Sequence, residues 1–105
     1  MVMPTVQSKH FAPIWDTMFI YAISFKTHDA YKMRQLFRHL LELLPCPSCR
    51  KYALQVLWFK YPLNLNSRME FFESVYIWKS LVNKKLGKPN MRFESVLQRY
   101  TNKLA

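Results

Sequence analysis

The chain has 105 residues, half of them apolar and 16% aromatic, and a formal net charge of +10. That length suits one domain, residues 1–105, with a core of its own and little room for a second. No run approaches the roughly 18 apolar residues of a membrane span, and the first ten residues contain no apolar signal core, so the expectation is a cytoplasmic protein without a membrane span.

Residues 1–9 read as a loose arm. Pro13 opens a first helix over 13–26. Its apolar Ile14, Trp15, Met18, Phe19, Ala22, Ile23 and Phe25 cover more than a narrow stripe, as in a largely buried helix. Thr27, His28 and Asp29 form a capping cluster for a second helix over 29–44. Tyr31, Leu36, Phe37, Leu40, Leu41 and Leu44 make its buried face, with Lys32, Arg34, Arg38 and Glu42 mostly outside. Pro45 stops it, since its ring and missing N–H cannot continue a helix. A third helix runs from Cys46 to about residue 60, with Tyr52, Ala53, Val56, Leu57 and Phe59 inward. Residues 61–66, marked by Pro62 and two asparagines, form a loop. Ser67 or Asn66 caps a fourth helix to residue 86, with Glu70 as capping-box partner if Ser67 is the cap. It carries Phe71, Phe72, Val75, Tyr76, Trp78, Leu81 and Val82 and ends at Gly87-Lys88-Pro89, a glycine-then-proline stop. Asn90 caps a fifth helix to about residue 102. One glycine and long periodic segments predict an all-α fold, a four-helix bundle of antiparallel helices with a short fifth helix across it.

The only cysteines stand three apart in Leu44-Pro45-Cys46-Pro47-Ser48-Cys49-Arg50-Lys51. With Pro47 in the first turn, where proline is favoured, Cys46 falls at the N-cap and Cys49 about one turn in. Free N–H groups and the positive end of the dipole stabilise a thiolate there, and Arg50 and Lys51 add charge. Two thiols so spaced can close a disulfide with each other. A purely structural disulfide would close a very short loop, which gains least from cross-linking. Zinc needs about four ligands, and His10, His28 and His39 do not stand at finger-like spacing. Two inert core thiols would sit oddly in a Pro-Cys-Pro-Ser-Cys turn. Redox chemistry is the favoured reading.

Two further features bear on partners. The basic residues are scattered except for one cluster, Lys79, Lys84, Lys85 and Lys88, suited to a phosphate-bearing ligand. Scattered charge predicts no specific nucleic-acid binding, only weak salt-sensitive association. The aromatic surplus (Trp15, Phe19, Phe72, Tyr76, Trp78 and Tyr100) serves either core packing with an oligomer interface or a planar pocket beside the cysteines. A dithiol needs a cofactor to hand electrons to oxygen.

Three blocks make the chain resemble the Erv/ALR family of FAD-linked sulfhydryl oxidases, particularly the short forms of large DNA viruses. They are the CxxC after a leucine-rich helix; Val82-Asn83-Lys84-Lys85-Leu86-Gly87-Lys88-Pro89, similar to the end of the family's His-Asn-x-Val-Asn-x-x-Leu-Gly-Lys-Pro motif; and Trp15, similar to the tryptophan of Trp-x-x-Leu-His. Arg99-Tyr100 resembles the basic-aromatic pair that follows. Phe19 stands in the place of the family's histidine after Trp15, Lys79-Ser80 replaces His-Asn, and Phe11 lies near the place of a glycine. The resemblance implies a homodimer that holds FAD between helices and oxidises thiols to disulfides, with oxygen reduced to hydrogen peroxide. It implies that Cys46 is attacked by the substrate thiolate and that Cys49, once released, passes electrons to the flavin. It further implies flavin contacts from Trp15, Phe19, Lys79, Val82, Asn83, Lys85, Lys88, Arg99 and Tyr100, Phe19 by packing and Lys79 by charge on a pyrophosphate. No metal is implied. The partner is a thiol-containing protein or a small CxxC or thioredoxin-like shuttle, in the host cytoplasm or the virion. Two rivals stay open: a flavin-free redox-sensing or scaffold protein of the same fold, and a basic nucleic-acid-binding helical domain.

Overall fold

Apolar residues at three- and four-residue spacing in the first and fourth predicted helices need a partner face, and in the folded chain they find one another. The computed structural model describes the backbone of residues 8–104 and the side chains of residues 13–103. In chain order, α1 is Ser8–Ile23 and α2 is Ala30–Glu42, preceded by a 3-10 turn at Thr27–Asp29. α3 starts as Pro47–Tyr52, widens to a π turn over Ala53–Leu57, and closes with Trp58–Lys60. α4 is Arg68–Leu86 and α5 is Phe93–Leu104. Among the described residues there is no strand. The fold is all-α, a four-helix bundle with a short fifth helix. α1 and α4 form its most extensive pairing, with α5 against both.

The core is aromatic. Trp78, Phe37, Phe71, Phe72, Met18, Leu41, Leu57 and Val75 are fully buried. Phe37 meets both Phe71 at 5.0 Å and Trp78 at 6.4 Å, so α2 is seated on α4 ring against ring. The Trp78 indole N–H donates to the Tyr61 carbonyl at 2.7 Å, and Leu63 and Leu65 are buried, which pins the loop between α3 and α4. That loop also donates its Asn64 N–H to the Ser74 hydroxyl at 2.9 Å.

Local signals set most helix ends. Ser67 is the α4 N-cap, its hydroxyl oxygen accepting the Glu70 N–H at 3.1 Å. The Glu70 carboxylate accepts from the Ser67 hydroxyl at 2.8 Å, closing the capping pair side chain to side chain. Gly87 ends α4 in the left-handed region at φ 70°. The Lys88 N–H reaches the Asn83 carbonyl at 2.8 Å and the Gly87 N–H the Lys84 carbonyl at 3.2 Å, a Schellman closure.

Several expectations are corrected. The expected arm over residues 1–9 lies outside the described residues up to residue 7, and from Ser8 the chain is already helical. Pro13 therefore sits inside α1 rather than opening it; near a helix start its missing N–H forfeits only one bond. α1 stops at Ile23, short of residue 26. Thr27, His28 and Asp29 wind a 3-10 turn and give α2 no side-chain cap. Tyr31 is 74% exposed and Phe59 is 80% exposed, not buried. Phe59 follows Leu57 by two residues, about 200° around a helix, so with Leu57 inward it must point out. Asn90 does not cap α5, which begins only at Phe93.

Candidate functional site

Cys46 ends the turn after α2 in an extended conformation (φ −94°, ψ 119°) and is the N-cap of α3. Its sulfur accepts the Cys49 N–H at 3.3 Å and lies 3.1 Å from the Ser48 hydroxyl. Pro47 takes the position that needs no N–H donor, as the sequence predicts. Arg50 donates to the Leu44 carbonyl at 2.6 Å, fixing the end of α2 to the start of α3. Both cysteines are free and partly exposed.

The two sulfurs are electrostatically unequal. The Cys49 side chain first, and the Ser48 hydroxyl next, lower Cys46 to about 7, because both donate to its thiolate. Cys49 is pushed up to about 11, by burial first and then by the Cys46 sulfur beside it. The outer sulfur thus ionises more readily than the inner one, which keeps its proton.

Both cysteines open on an apolar cavity of about 170 Å³. Ile14, Trp15 and Met18 of α1 form one side, and Leu41 of α2 with Leu44 just past its end another. Tyr52, Ala53 and Leu57 continue the α3 wall, and α4 contributes Val82, Lys85 and Leu86. The π turn begins at Ala53 and ends at Leu57. Lys85 lies 4.7 Å from the Tyr52 ring centroid, so its chain closes part of the rim.

A second recess, about 370 Å³, lies on the other side of Trp15, which lines both. Lys79, Lys88 and Arg99 bring cations to it, and Asn83 and Asn90 bring amides. Phe19 and Tyr100 line it too, stacked at 4.9 Å with an interplanar angle of 21°. Lys79 is 5.3 Å from the Trp15 ring centroid. Burial, then the Lys88 charge, makes its ammonium easier to deprotonate, opposed by Asp16. The Asp16 carboxylate accepts from the Tyr100 hydroxyl and pairs with Lys103 at 3.9 Å, so its charge is engaged within the fold. Burial, then the bond to Asp16, raises the Tyr100 hydroxyl well above its ordinary value.

The two cysteines and every flavin contact implied by the resemblance border one recess or the other, whereas Lys84 of the basic cluster lines neither. Val82 and Lys85 line the cavity at the cysteines; Phe19, Lys79, Asn83, Lys88, Arg99 and Tyr100 line the second; Trp15 lines both. Lys79, Val82 and Asn83 do not share one pocket, because Val82 turns to the other side of α4. Of the surplus aromatics, Phe72 and Trp78 are core. Phe19, though it borders the recess, is 2% exposed and also packs on Phe72 at 5.0 Å.

Asn90 was hidden from sequence reasoning as a cap. It accepts from the Asn83 amide at 2.8 Å and donates to Ser80 at 2.7 Å and to Tyr76 at 3.2 Å. The Tyr76 hydroxyl donates to the Met91 carbonyl at 2.5 Å. This network straps the segment after Gly87, with Lys88 and Pro89, onto α4. The only signal was the position of Asn90 directly after Pro89. Ser48 was likewise legible only as the polar residue between the cysteines. Among the described residues no group of side chains forms a metal site, and no helix is long and apolar enough to cross a membrane.

The sequence model of the Erv1/Alr family matches residues 12–101, nearly the whole chain. The chain belongs to the Erv1/Alr family. It is also similar to a curated protein of Invertebrate iridescent virus 3 whose name includes "FAD-linked sulfhydryl oxidase". The two are 27% identical over 92 residues, covering 82% of this chain and 62% of that protein. The chain thus spans less than two thirds of that relative's length. The lining residues fit a flavin dinucleotide: an apolar slot beside a dithiol suits a ring system, and a recess with cations and amides suits a diphosphate and its nucleoside.

Proposed function

We propose that this protein is an FAD-dependent thiol oxidase that forms disulfides in protein substrates. The observation that carries the reading is the Cys46–Cys49 pair on the wall of an apolar recess that shares Trp15 with a second recess lined by Lys79, Lys88 and Arg99. Trp15, Val82 and Lys85 would border the flavin ring, and Phe19, Lys79, Asn83, Lys88, Arg99 and Tyr100 the dinucleotide. When bound, FAD supplies an acceptor for the two electrons of the reduced pair and passes them to oxygen, giving hydrogen peroxide.

The chain's own residues do the exchange. In the oxidised state the Cys46–Cys49 bond is attacked at Cys46, the more exposed sulfur, by a substrate thiolate. Cys49 leaves as the thiolate and takes up a proton, since burial holds its pKa high, and a mixed disulfide joins Cys46 to the substrate. The second substrate thiol then displaces Cys46, so the substrate gains one disulfide and the pair gains two electrons. The Cys49 N–H and the Ser48 hydroxyl stabilise the Cys46 thiolate as it departs, which speeds that step because a low-pKa thiol leaves faster. Cys49 then lies against the apolar slot, where its electrons are collected.

The partner is a protein thiol or a small CxxC or thioredoxin-like shuttle, which would deliver its electrons to the Cys46–Cys49 pair. We further propose that residues 1–105 act as a single Erv/ALR-like domain, that the protein works as a homodimer, and that it acts in the cytoplasm or in a virion. The test is the visible spectrum of the purified protein. Two flavin bands, with dithiol oxidation abolished by Cys46→Ser and by Cys49→Ser while helicity survives, are expected. A colourless protein that takes up no FAD refutes the oxidase and leaves a flavin-free redox protein of the same fold.

A further inference from the structure

In sequence, the acidic residues of this chain are absent from the stretches that provide α3 and the second half of α4. Between Glu42 and Glu70 there is no carboxylate, and none between Glu73 and Glu94. Those two stretches provide all of α3 and the half of α4 that walls the cysteine cavity, and with them Arg50, Lys51, Lys84 and Lys85, while Lys88 lines the second recess. Lys85 and Leu86 line the same cavity as Cys46, while Lys51 and Lys84 stand exposed beside Arg50 and Lys85 in sequence. The nearest acid in sequence, Glu42, is already held by Arg38 at 3.0 Å and His39 at 3.2 Å. An apolar component accompanies the charge: Leu43 is 76% exposed and Leu86 40%. A mouth of one sign attracts ligands of the other and raises their encounter rate.

We propose that the rim of the cysteine cavity is a docking face for acidic protein segments that carry a cysteine, with Arg50, Lys51 and Lys85 supplying charge complementarity and Leu43 and Leu86 an apolar footing. This rests on the thiol-oxidase reading and names its substrate class. A nucleic acid would meet the same charge, but Lys85 lines the same cavity as Cys46, whose chemistry consumes a thiol, which nucleic acid lacks.

The test uses the reduced protein and no flavin. Two cysteine peptides, identical except for flanking glutamates or flanking lysines, are activated as mixed disulfides with a neutral thiopyridyl cap. The Cys46 thiolate attacks the peptide sulfur, forms a new disulfide with it and releases the cap as thiopyridone, whose absorbance gives the rate. At about 0.01 M ionic strength the Debye length is about 30 Å and at 0.15 M about 8 Å. The acidic peptide should react roughly tenfold faster than the basic one at low salt and about twofold faster at 0.15 M, the first rate falling and the second rising with salt. Lys51→Glu should lower that low-salt preference at least about threefold. Lys26→Glu should not, because Lys26 lies beyond the far end of α2, whose 13 residues span about 20 Å. Equal rates for the two peptides at low salt would overturn the proposal, as would a short DNA duplex that blocks both equally at about 0.15 M salt. A colourless protein would refute the oxidase and leave this assay readable, and a flavin-loaded protein without charge preference would do the reverse.

Discussion

The Cys46 sulfur offers the sharpest test of the site, because two neighbours set its ionisation and each can be removed. The Cys49 side chain, then the Ser48 hydroxyl, bring it to about 7 from an ordinary 9.0. At pH 7 such a thiol is about half thiolate; returned to 9.0 it would be only about 1% thiolate, roughly a fiftyfold loss. A more basic thiolate is also a better nucleophile. With a Brønsted slope of about 0.4–0.5, two pH units return a factor of about six to ten. The net expectation for full reversion is an exchange rate at pH 7 about five- to eightfold lower. Cys49→Ser keeps a hydroxyl donor and leaves a single thiol, so it is the reference; Cys49→Ala removes the larger contributor, and Cys49→Ala with Ser48→Ala removes both. The assay is the rate of reaction with neutral dipyridyl disulfide across about pH 5 to 10. Each rate rises as pH climbs through the Cys46 pKa, since the thiolate reacts. The midpoint should move upward along the series, and above about pH 9 the doubly substituted protein should be the fastest. If Cys49→Ser and the double substitution titrate at the same pH, these two neighbours do not control Cys46.

Lys79→Ala and Lys88→Ala should each weaken FAD binding roughly ten- to a hundredfold, the loss of a charged hydrogen bond of about 1.5–3 kcal/mol. Lys60→Ala should not, and equal dissociation constants for all three would make these lysines mere surface charge. Ser67→Ala removes the α4 cap and should cost about 1 kcal/mol in chemical denaturation. Gly87→Ala should cost about 1–2 kcal/mol although no atom lies within 4 Å of the added methyl, since the penalty is the positive φ alone; an unchanged midpoint would contradict the left-handed cap. Trp78→Ala should cost about 3–5 kcal/mol and lower the melting temperature by at least about 12 °C. A drop under about 4 °C would mean that Trp78 is not central to the core.

What the sequence determined was local. Pro45 and Pro47 bracket a helix start at Cys46, Ser67 and Glu70 mark another, and Gly87-Lys88-Pro89 marks a stop, because caps and breakers act over three or four residues. Helical periodicity likewise made the all-α bundle legible. It failed at Tyr31 and Phe59, where counting apolar residues ignored their phase around the helix. Tertiary structure alone decided which residues meet. Trp15 stands between two recesses, Phe19 stacks on Tyr100 from the opposite end of the chain, and Asn90 ties the segment after α4 back onto that helix. Such contacts depend on how α1, α4 and α5 are rotated and seated against each other. Packing of whole helix faces fixes that rotation, and no short stretch of sequence encodes it.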